Sequence, residues 1–293
     1  MKKTFFYLLA VLTLTAGAYD NAGQAMKAGH TFRGQKKITE AAAAYDKAFK
    51  LAKNDYERYN AMFYKAITSQ DVDTTVKILR EAMKYAKNGH HISSGLYHIA
   101  HYLVRQKKYD QANEELLKIK TLVKGTSNFY TESVPVAIGR NFYVLKKYDE
   151  ALKYAREAVA SKRKDVSTSA WALVYDASIA RKDMKEAENA VNALLAKKEL
   201  TGMEFFTSRR LAVDFFCRQK KYDEALKYAQ EIENEKTCNA FARAVGLYHI
   251  ASIYQRTGKK DLAVAAWQKL EKCSVPYFRN IAKRNLAALN KKK

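Results

Sequence analysis

The sequence predicts an all-α solenoid in which about seven helical hairpins follow one another and one further helix closes the C-terminal end. Three observations predict this fold class. The string KKYDEALKYA occurs unchanged at residues 146–155 and 220–229, and GLYHIA occurs at 95–100 and 246–251. Apolar residues recur at helical spacing around both strings. The 293 residues include only two prolines and 11 glycines, a composition typical of helical proteins rather than of β-sandwiches.

The second helix of each hairpin is predicted from an apolar triplet whose members are four and then three positions apart. Successive triplets recur at similar intervals along the chain. A single hairpin cannot bury the apolar faces of both its helices, so neighbouring hairpins must stack to form a continuous core. The seven triplets are Ala41, Tyr45, Ala48; Thr75, Leu79, Ala82; Ala112, Leu116, Ile119; Ala151, Ala155, Ala158; Ala187, Val191, Leu194; Ala225, Ala229, Ile232; and Ala263, Trp267, Leu270.

The first helix of each hairpin has mostly small residues in the middle of its apolar stripe and larger ones at the ends. Small residues at a crossing allow two helices to pack closely. These stripes predict repeats at 21–54, 55–91, 92–130, 131–166, 167–204, 205–241 and 242–275. Residues 276–293 are predicted to form a capping helix with a basic tail, because Pro276 suits a first helical turn and one face of the segment is apolar.

These patterns resemble the tetratricopeptide repeat (TPR), whose first helix has an aromatic, hydrophobic-small, aromatic pattern and whose second helix contains Ala-x3-aromatic. Trp171 occupies the tryptophan position of that family, and Ile138, Gly139 and Phe142 match its Leu-Gly-x2-Tyr core. The resemblance covers residues 20–272. No repeat ends with the proline of the family, and several repeats are longer than the standard repeat of the family. The resemblance implies a right-handed α-solenoid whose first helices line a concave groove that binds a protein or peptide.

The N-terminal segment 1–18, MKKTFFYLLAVLTLTAGA, has the pattern of a secretory signal peptide. Two lysines precede an apolar run, and Ala16-Gly17-Ala18 provides a cleavage site of the A-x-A type. A retained membrane anchor is the alternative, but a spanning helix needs about 20 apolar residues. The sequence therefore predicts an exported, periplasmic or secreted protein without a transmembrane segment in its mature chain. Cleavage would change the net charge from +23 to +21, because it removes two lysines.

The sequence lacks the motifs of common enzyme classes, so neither catalytic activity nor a cofactor is predicted. It has no P-loop, no dinucleotide fingerprint, no G-x-S-x-G and no H-E-x-x-H. Its paired carboxylates stand at the starts of second helices, where the helix dipole favours acidic residues. His90, His91, His98 and His101 are close in sequence and could begin a metal site, but no cysteine and few carboxylates lie near them. We therefore favour a polar helix face over a metal site.

Basic residue pairs recur at the turn inside six of the seven hairpins. Stacked in register, they would form a cationic ridge that could bind an anionic glycan or lipid headgroup of the cell envelope. The other interpretation is that they complement helix C-termini, where basic residues are favoured. The ridge lacks the aromatic platforms of single-strand binders, so nucleic acid is not a predicted partner. The pairs are Lys36-Lys37, Lys107-Lys108, Lys146-Lys147, Arg181-Lys182, Lys220-Lys221 and Lys259-Lys260.

The groove implied by the resemblance gives the candidate binding residues, which are the first-helix side chains off the packing stripe. Many are tyrosine or arginine, the residue types that anchor protein contacts best. The Lys-x3-Asn spacing of family members that bind a terminal carboxylate is absent. The candidates are Tyr64, Tyr97, His98, His101, Arg105, Arg140, Tyr143, Asp176, Arg210, Asp214, Arg218, Tyr248, His249 and Arg256, together with His30, Arg33 and Asn60.

The three cysteines are predicted to form one disulfide and leave one free thiol. Cys238 precedes the seventh hairpin and Cys273 ends its second helix. Antiparallel helices bring these two ends to the same edge, so a Cys238–Cys273 bridge is expected. Cys217 would remain free.

Overall fold

A computed structural model of the protein describes residues 19–122 and 128–290. The predicted signal peptide and the last three lysines lie outside these residues. The described chain contains fifteen α-helices and no β-strand. It divides into two compact units, one up to Asn141 and the other from Phe142 onwards, so the boundary falls within one helix.

The first unit contains three complete hairpins and most of a seventh helix. Its helices are α1 (Ala22–Gly34), α2 (Ile38–Leu51), α3 (Asp55–Thr68), α4 (Val72–Ala82), α5 (Gly89–Arg105), α6 (Tyr109–Leu122) and α7 (Phe129–Val144). A short 3-10 helix, Met83–Tyr85, follows α4. Asparagine side chains accept hydrogen bonds at the N-termini of α1, α3 and α5, which fixes where these first helices begin.

The second unit starts with the end of α7 and contains eight further helices. These are α8 (Tyr148–Ala158), α9 (Lys164–Ala180), α10 (Met184–Leu195), α11 (Gly202–Arg218), α12 (Tyr222–Asn234), α13 (Ala240–Arg256), α14 (Lys260–Glu271) and α15 (Pro276–Asn290). In five hairpins of the chain the first helix begins slightly before the expected repeat boundary. Pro276 opens α15, and Phe278 and Ala282 of this helix are buried against the last hairpin.

The predicted helical hairpins are confirmed by the burial of the triplets. All members of the seven triplets are buried. Within each unit a second helix packs against its own first helix and against the first helix of the next hairpin, as α2 does between α1 and α3 and α12 does between α11 and α13. Successive first helices also touch, as α9, α11 and α13 do. The side chains that carried the sequence prediction therefore form the core.

Glycine allows a close helix crossing in the second unit. Gly246 of α13 lies against the backbone of α12. A Cβ atom placed on Gly246 would stand 2.8 Å from the carbonyl oxygen of Ala229 and 2.8 Å from the backbone nitrogen of Glu233. These atoms belong to the helix backbone and cannot rotate away. The absence of a side chain at Gly246 therefore allows this distance between the two helices.

The lysines of the inner turns have a structural role that the sequence did not indicate. Lys36, Lys107, Lys146, Lys182 and Lys220 all have φ between 60° and 63°, in the left-handed region, and Gly258 has φ 73° at the equivalent position. In each case the backbone N–H of the residue after the left-handed one donates a hydrogen bond to a carbonyl near the end of the first helix. Lys221 N, for example, donates to Phe216 O at 2.9 Å. This is a Schellman C-cap, in which glycine is the usual residue.

Acidic residues partly offset the charge of these turns. Arg181 pairs with Asp149 at 3.3 Å, and Lys259 lies 3.9 Å from Asp223. Each pair joins the turn of one hairpin to the start of the preceding second helix. The inner turns are therefore closed by backbone N–H groups rather than by lysine side chains, and two of them are linked to the preceding repeat by ion pairs.

The duplicated decapeptide has the same local structure in both copies. Each copy closes an inner turn and begins a second helix. The ring of Phe142 stacks on Tyr154 at 5.6 Å, and Phe216 stacks on Tyr228 at 5.7 Å. The copies differ in packing, because Leu152 is buried and its equivalent, Leu226, is only partly buried.

The predicted disulfide is absent from the structure, in which all three cysteines are free. The sulfur of Cys238 lies 3.4 Å from the carbonyl oxygen of Gly202, at the start of the preceding hairpin. The sulfur of Cys273 lies 3.5 Å from the carbonyl oxygen of Val275, in the turn before α15. Repeat register placed both residues at one edge of the hairpin, but each thiol contacts a different carbonyl there.

Candidate functional site

A pocket of about 640 Å³ lies in the first unit between α3, α5 and the start of α7. Its volume is within the usual range for small-molecule sites. The lining is mainly aromatic, with amide, hydroxyl and imidazole groups between the rings. The lining residues are Tyr56, Tyr59, Asn60, Phe63, Tyr64, Ile67, Asn88, His90, His91, Ser94, His98 and Tyr130.

One part of this pocket is formed by residues at the N-terminal ends of helices. The second residue of α3 is Tyr56, that of α5 is His90 and that of α7 is Tyr130. The Tyr130 and His90 rings meet at 5.6 Å. Asn54 and Asn88 cap α3 and α5 by accepting backbone hydrogen bonds, which holds the first turns of both helices in place. The pocket wall is therefore set by helix capping as well as by core packing.

The base of the pocket is a fixed pair of rings. The Tyr59 hydroxyl donates a hydrogen bond to the His91 carbonyl oxygen at 3.0 Å, and the Tyr59 and His91 rings stack with centroids 4.2 Å apart. Both residues are buried. Burial raises the pKa of Tyr59 to about 12, so its phenol stays protonated at neutral pH.

No lining residue of this pocket is an aspartate, glutamate, lysine or arginine. Burial lowers the pKa of His91, with a smaller contribution from His90, and burial together with His101 lowers the pKa of His98. Both shifts favour the uncharged imidazole. The lining therefore contains no aspartate, glutamate, lysine or arginine, although the chain as a whole is strongly basic.

The second unit contains a polar cluster centred on Asp214 of α11. The Tyr175 hydroxyl, from α9, donates a hydrogen bond to Asp214 Oδ2 at 2.5 Å. Arg218 Nε donates to the same oxygen at 2.7 Å. Burial and the hydrogen bond to Asp214 raise the pKa of Tyr175 above its ordinary value. The carboxylate is thus already engaged by two donors.

Two arginines and a histidine complete this cluster. Burial lowers the pKa of His249, on α13, to about 4, with the positive charge of Arg210 as the next cause and Arg256 also contributing. His249 is therefore uncharged at neutral pH. Within the described residues neither Arg210 nor Arg256 forms an ion pair with an acidic side chain. Three successive first helices thus place tyrosine, arginine and histidine side chains together.

Several of the predicted groove residues meet in these two places. Asn60, Tyr64 and His98 line the pocket of the first unit. Arg210, Asp214, Arg218, His249 and Arg256 form the cluster of the second. Repeat register therefore identified residues that the structure brings together.

The other predicted groove residues have local partners. The Tyr97 ring packs on Tyr130 at 5.5 Å, and the Arg140 charge acts on Tyr97. His101 and Arg105 both lie against the Tyr102 ring. Burial raises the pKa of Tyr143, and nearby Asp176 adds to this shift. Tyr248 packs on Trp267 at 5.8 Å.

Sequence reasoning missed most of the pocket lining. Tyr56, Ser94 and Tyr130 are not among the predicted binding residues, and the sequence assigns the adjacent His90 and His91 to a polar helix face rather than to a pocket. Three of these residues share a position, because Tyr56, His90 and Tyr130 are each the second residue of a first helix. That position could not be recognised until the helix starts were known.

Residues 19–122 and 128–290 contain neither a metal-binding cluster nor a membrane-spanning helix. No group of three or more His, Cys, Asp or Glu side chains is placed to hold a metal ion there. In the same part of the chain, every helix is too short or too polar to cross a lipid bilayer.

Solved structures establish the class of fold. A tetratricopeptide repeat protein from Parabacteroides merdae superposes with a TM-score of 0.57 at 12% identity, covering 92% of this chain and 98% of the other. Yeast Tom70 superposes with a TM-score of 0.60 at 14% identity, covering 93% of this chain and 56% of the Tom70 chain. PilW, described as a type IV pilus biogenesis factor, superposes with a TM-score of 0.53 at 12% identity, covering 74% of this chain and 94% of the PilW chain.

The chain therefore has a TPR-like, all-α solenoid fold. No protein-family profile matches the sequence, and no curated protein sequence is similar to it. At these identities the structural likeness defines the fold and leaves the ligand to be inferred from the site.

Proposed function

We propose that this chain is a non-enzymatic scaffold that binds a protein or peptide segment against the exposed faces of its first helices. The observation that carries the proposal is the cluster around Asp214. There, partly buried polar side chains of α11 and α13 meet beside the buried Tyr175 of α9, and two guanidinium groups have no acidic partner among the described residues. Arginine and tyrosine are the residues that most often dominate protein interfaces.

The cluster is arranged to contact an extended segment. Arg210, Asp214 and Arg218 follow one another at intervals of four positions along α11, and His249 and Arg256 are seven positions apart on α13, so each set shares a helix face. The Asp214 hydrogen bonds hold Tyr175 and Arg218 in fixed positions before a partner arrives. Such preorganisation reduces the entropy lost on binding.

Export to the cell envelope is part of the same proposal. It rests on the N-terminal pattern of two lysines, an apolar run and Ala16-Gly17-Ala18. The likeness to PilW, a pilus biogenesis factor, is compatible with work in the envelope. Mass spectrometry of the protein from the producing cell would test the signal peptide, because a chain beginning at Tyr19 is expected and an intact Met1 would contradict cleavage after Ala18.

The binding proposal is tested by crosslinking the protein to its partners in the cell that makes it and identifying the attached chains. Arg210→Ala combined with Arg256→Ala should reduce partner capture at least about tenfold, as expected when interface arginines are truncated. Arg279→Ala combined with Arg284→Ala removes the same charge from α15 and should leave capture unchanged. Equal capture by both double variants would contradict the proposal.

The alternative is attraction of an anionic glycan or lipid headgroup to the lysines of the inner turns. The ion pairs of Arg181 and Lys259 with neighbouring aspartates weaken the field of these turns. Salt separates the two functions. Binding through exposed lysines should fall steeply between about 50 and 200 mM salt, whereas binding anchored at partly buried groups should fall less.

A further inference from the structure

We propose that the pocket of the first unit binds a short uncharged saccharide. The proposal concerns a different unit from the Asp214 cluster and does not depend on the proposed scaffold function. It rests on the lining chemistry of the pocket, on the free polar groups within it and on the exposure of one tyrosine.

The lining excludes charged ligands. None of the twelve lining residues is an acid, lysine or arginine. An ionic ligand would lose hydration on entering without gaining a counter-charge, which is costly. The nearest printed basic group is the Arg33 guanidinium, which lies over the ring of Tyr64 at 5.5 Å and is not part of the lining.

The polar groups of the lining favour a ligand with many hydroxyls. Within the described residues, the side-chain polar groups of Asn60, Tyr64, His98 and Tyr130 have no hydrogen-bond partner. An aliphatic or aromatic peptide side chain would cover these groups without bonding to them, which costs free energy. A saccharide carries a donor and acceptor on nearly every carbon and can satisfy several of them at once.

The aromatic groups of the lining favour the apolar face of a sugar ring. One side of a pyranose ring presents mainly C–H bonds, and such an apolar face packs on the flat face of an aromatic ring. Tyr56 is 62% exposed at the start of α3, so its ring is accessible to solvent and to a ligand. The Tyr59, Phe63 and His91 rings are buried and stack on one another, so Tyr56 supplies the most accessible ring of the lining. Tyrosine combines an apolar body with a polar tip, which matches both aspects of a sugar.

The test uses the full chain and a panel of uncharged oligosaccharides, namely maltotriose, cellotriose and tri-N-acetylchitotriose, with a trigalacturonate as charged comparison. Binding is measured by calorimetry and by the protection of tyrosines from chemical modification. At least one uncharged trimer should bind with Kd below about 1 mM, and the charged trimer should bind more weakly. Tyr56→Ala and Asn60→Ala should each weaken binding about fivefold to tenfold, as expected for one lost contact.

The control is Tyr277→Ala. Tyr277 is also the second residue of its helix, α15, and is 64% exposed, but it belongs to the second unit. This variant should bind the sugar like the wild type, and so should the Arg210 and Arg256 double variant. The proposal is overturned if no uncharged trimer binds up to about 10 mM, if the charged trimer binds better, or if Tyr56→Ala and Asn60→Ala change nothing. Protection of Tyr56 by a captured peptide without any sugar binding would also overturn it.

Discussion

Replacing Lys220 by glycine is expected to stabilise the second unit. Lys220 has φ 60° in the turn between α11 and α12. A residue with a Cβ atom costs about 1–2 kcal/mol in this region, whereas glycine has no such cost. Glycine lowers the free energy of unfolding by about 0.5–1 kcal/mol, because it gives the unfolded chain more conformational freedom. The net gain should therefore be about 0.5–1 kcal/mol, since the C-cap hydrogen bonds of the turn are made by the backbone and persist.

The measurement is the free energy of unfolding in urea, followed by circular dichroism and tryptophan fluorescence. Lys221→Gly is the matched control, because it removes the same charge one position later, where φ is −84°. It should destabilise the protein. Gly258→Lys, at the equivalent turn, where φ is 73°, should lower stability by about 0.5–1 kcal/mol. Equal effects of Lys220→Gly and Lys221→Gly would refute the reasoning, because only the first relieves backbone strain.

Two further predictions concern the second unit. Gly246→Ala should lower the free energy of unfolding by about 1–3 kcal/mol, because its Cβ would stand 2.8 Å from backbone atoms of Ala229 and Glu233; a melting temperature equal to the wild type would count against this. His249, with a pKa of about 4 when folded and about 6.5 when unfolded, binds a proton first in the unfolded chain. Stability should therefore fall by up to about 3 kcal/mol from pH 6.5 to 4. His249→Gln should flatten that part of a urea-midpoint profile, and an unchanged slope would contradict the assignment.

The hairpin fold could be predicted because its core repeats. The Ala187, Val191 and Leu194 triplet is typical, since the same spacing recurs in seven places and every member is buried. Periodicity identifies which side of a helix faces the core without any knowledge of its neighbours. The exact helix starts were less predictable, because an asparagine cap such as Asn88 is a short-range feature that the apolar stripe does not record.

The candidate sites were only partly predictable. Register placed Arg210 and His249 on related faces, and the structure brings them together. The pocket instead joins Tyr56 and Tyr130, which are distant in the sequence and begin first helices of different repeats. No local pattern encodes that proximity. The left-handed lysines were also hidden, because glycine would have marked the turn and lysine is ordinarily interpreted as surface charge.

The repeated decapeptide has a practical consequence for any labelling study of this molecule. Trypsin, which cuts after lysine, would release the same fragment, YDEALK, from residues 148–153 and 222–227. A crosslink or footprint found on that fragment could not be assigned to one unit or the other. Fragments in which trypsin misses the cut after Lys153 or Lys227 end in YAR and in YAQEIENEK, respectively. These longer fragments would show which copy carries the label.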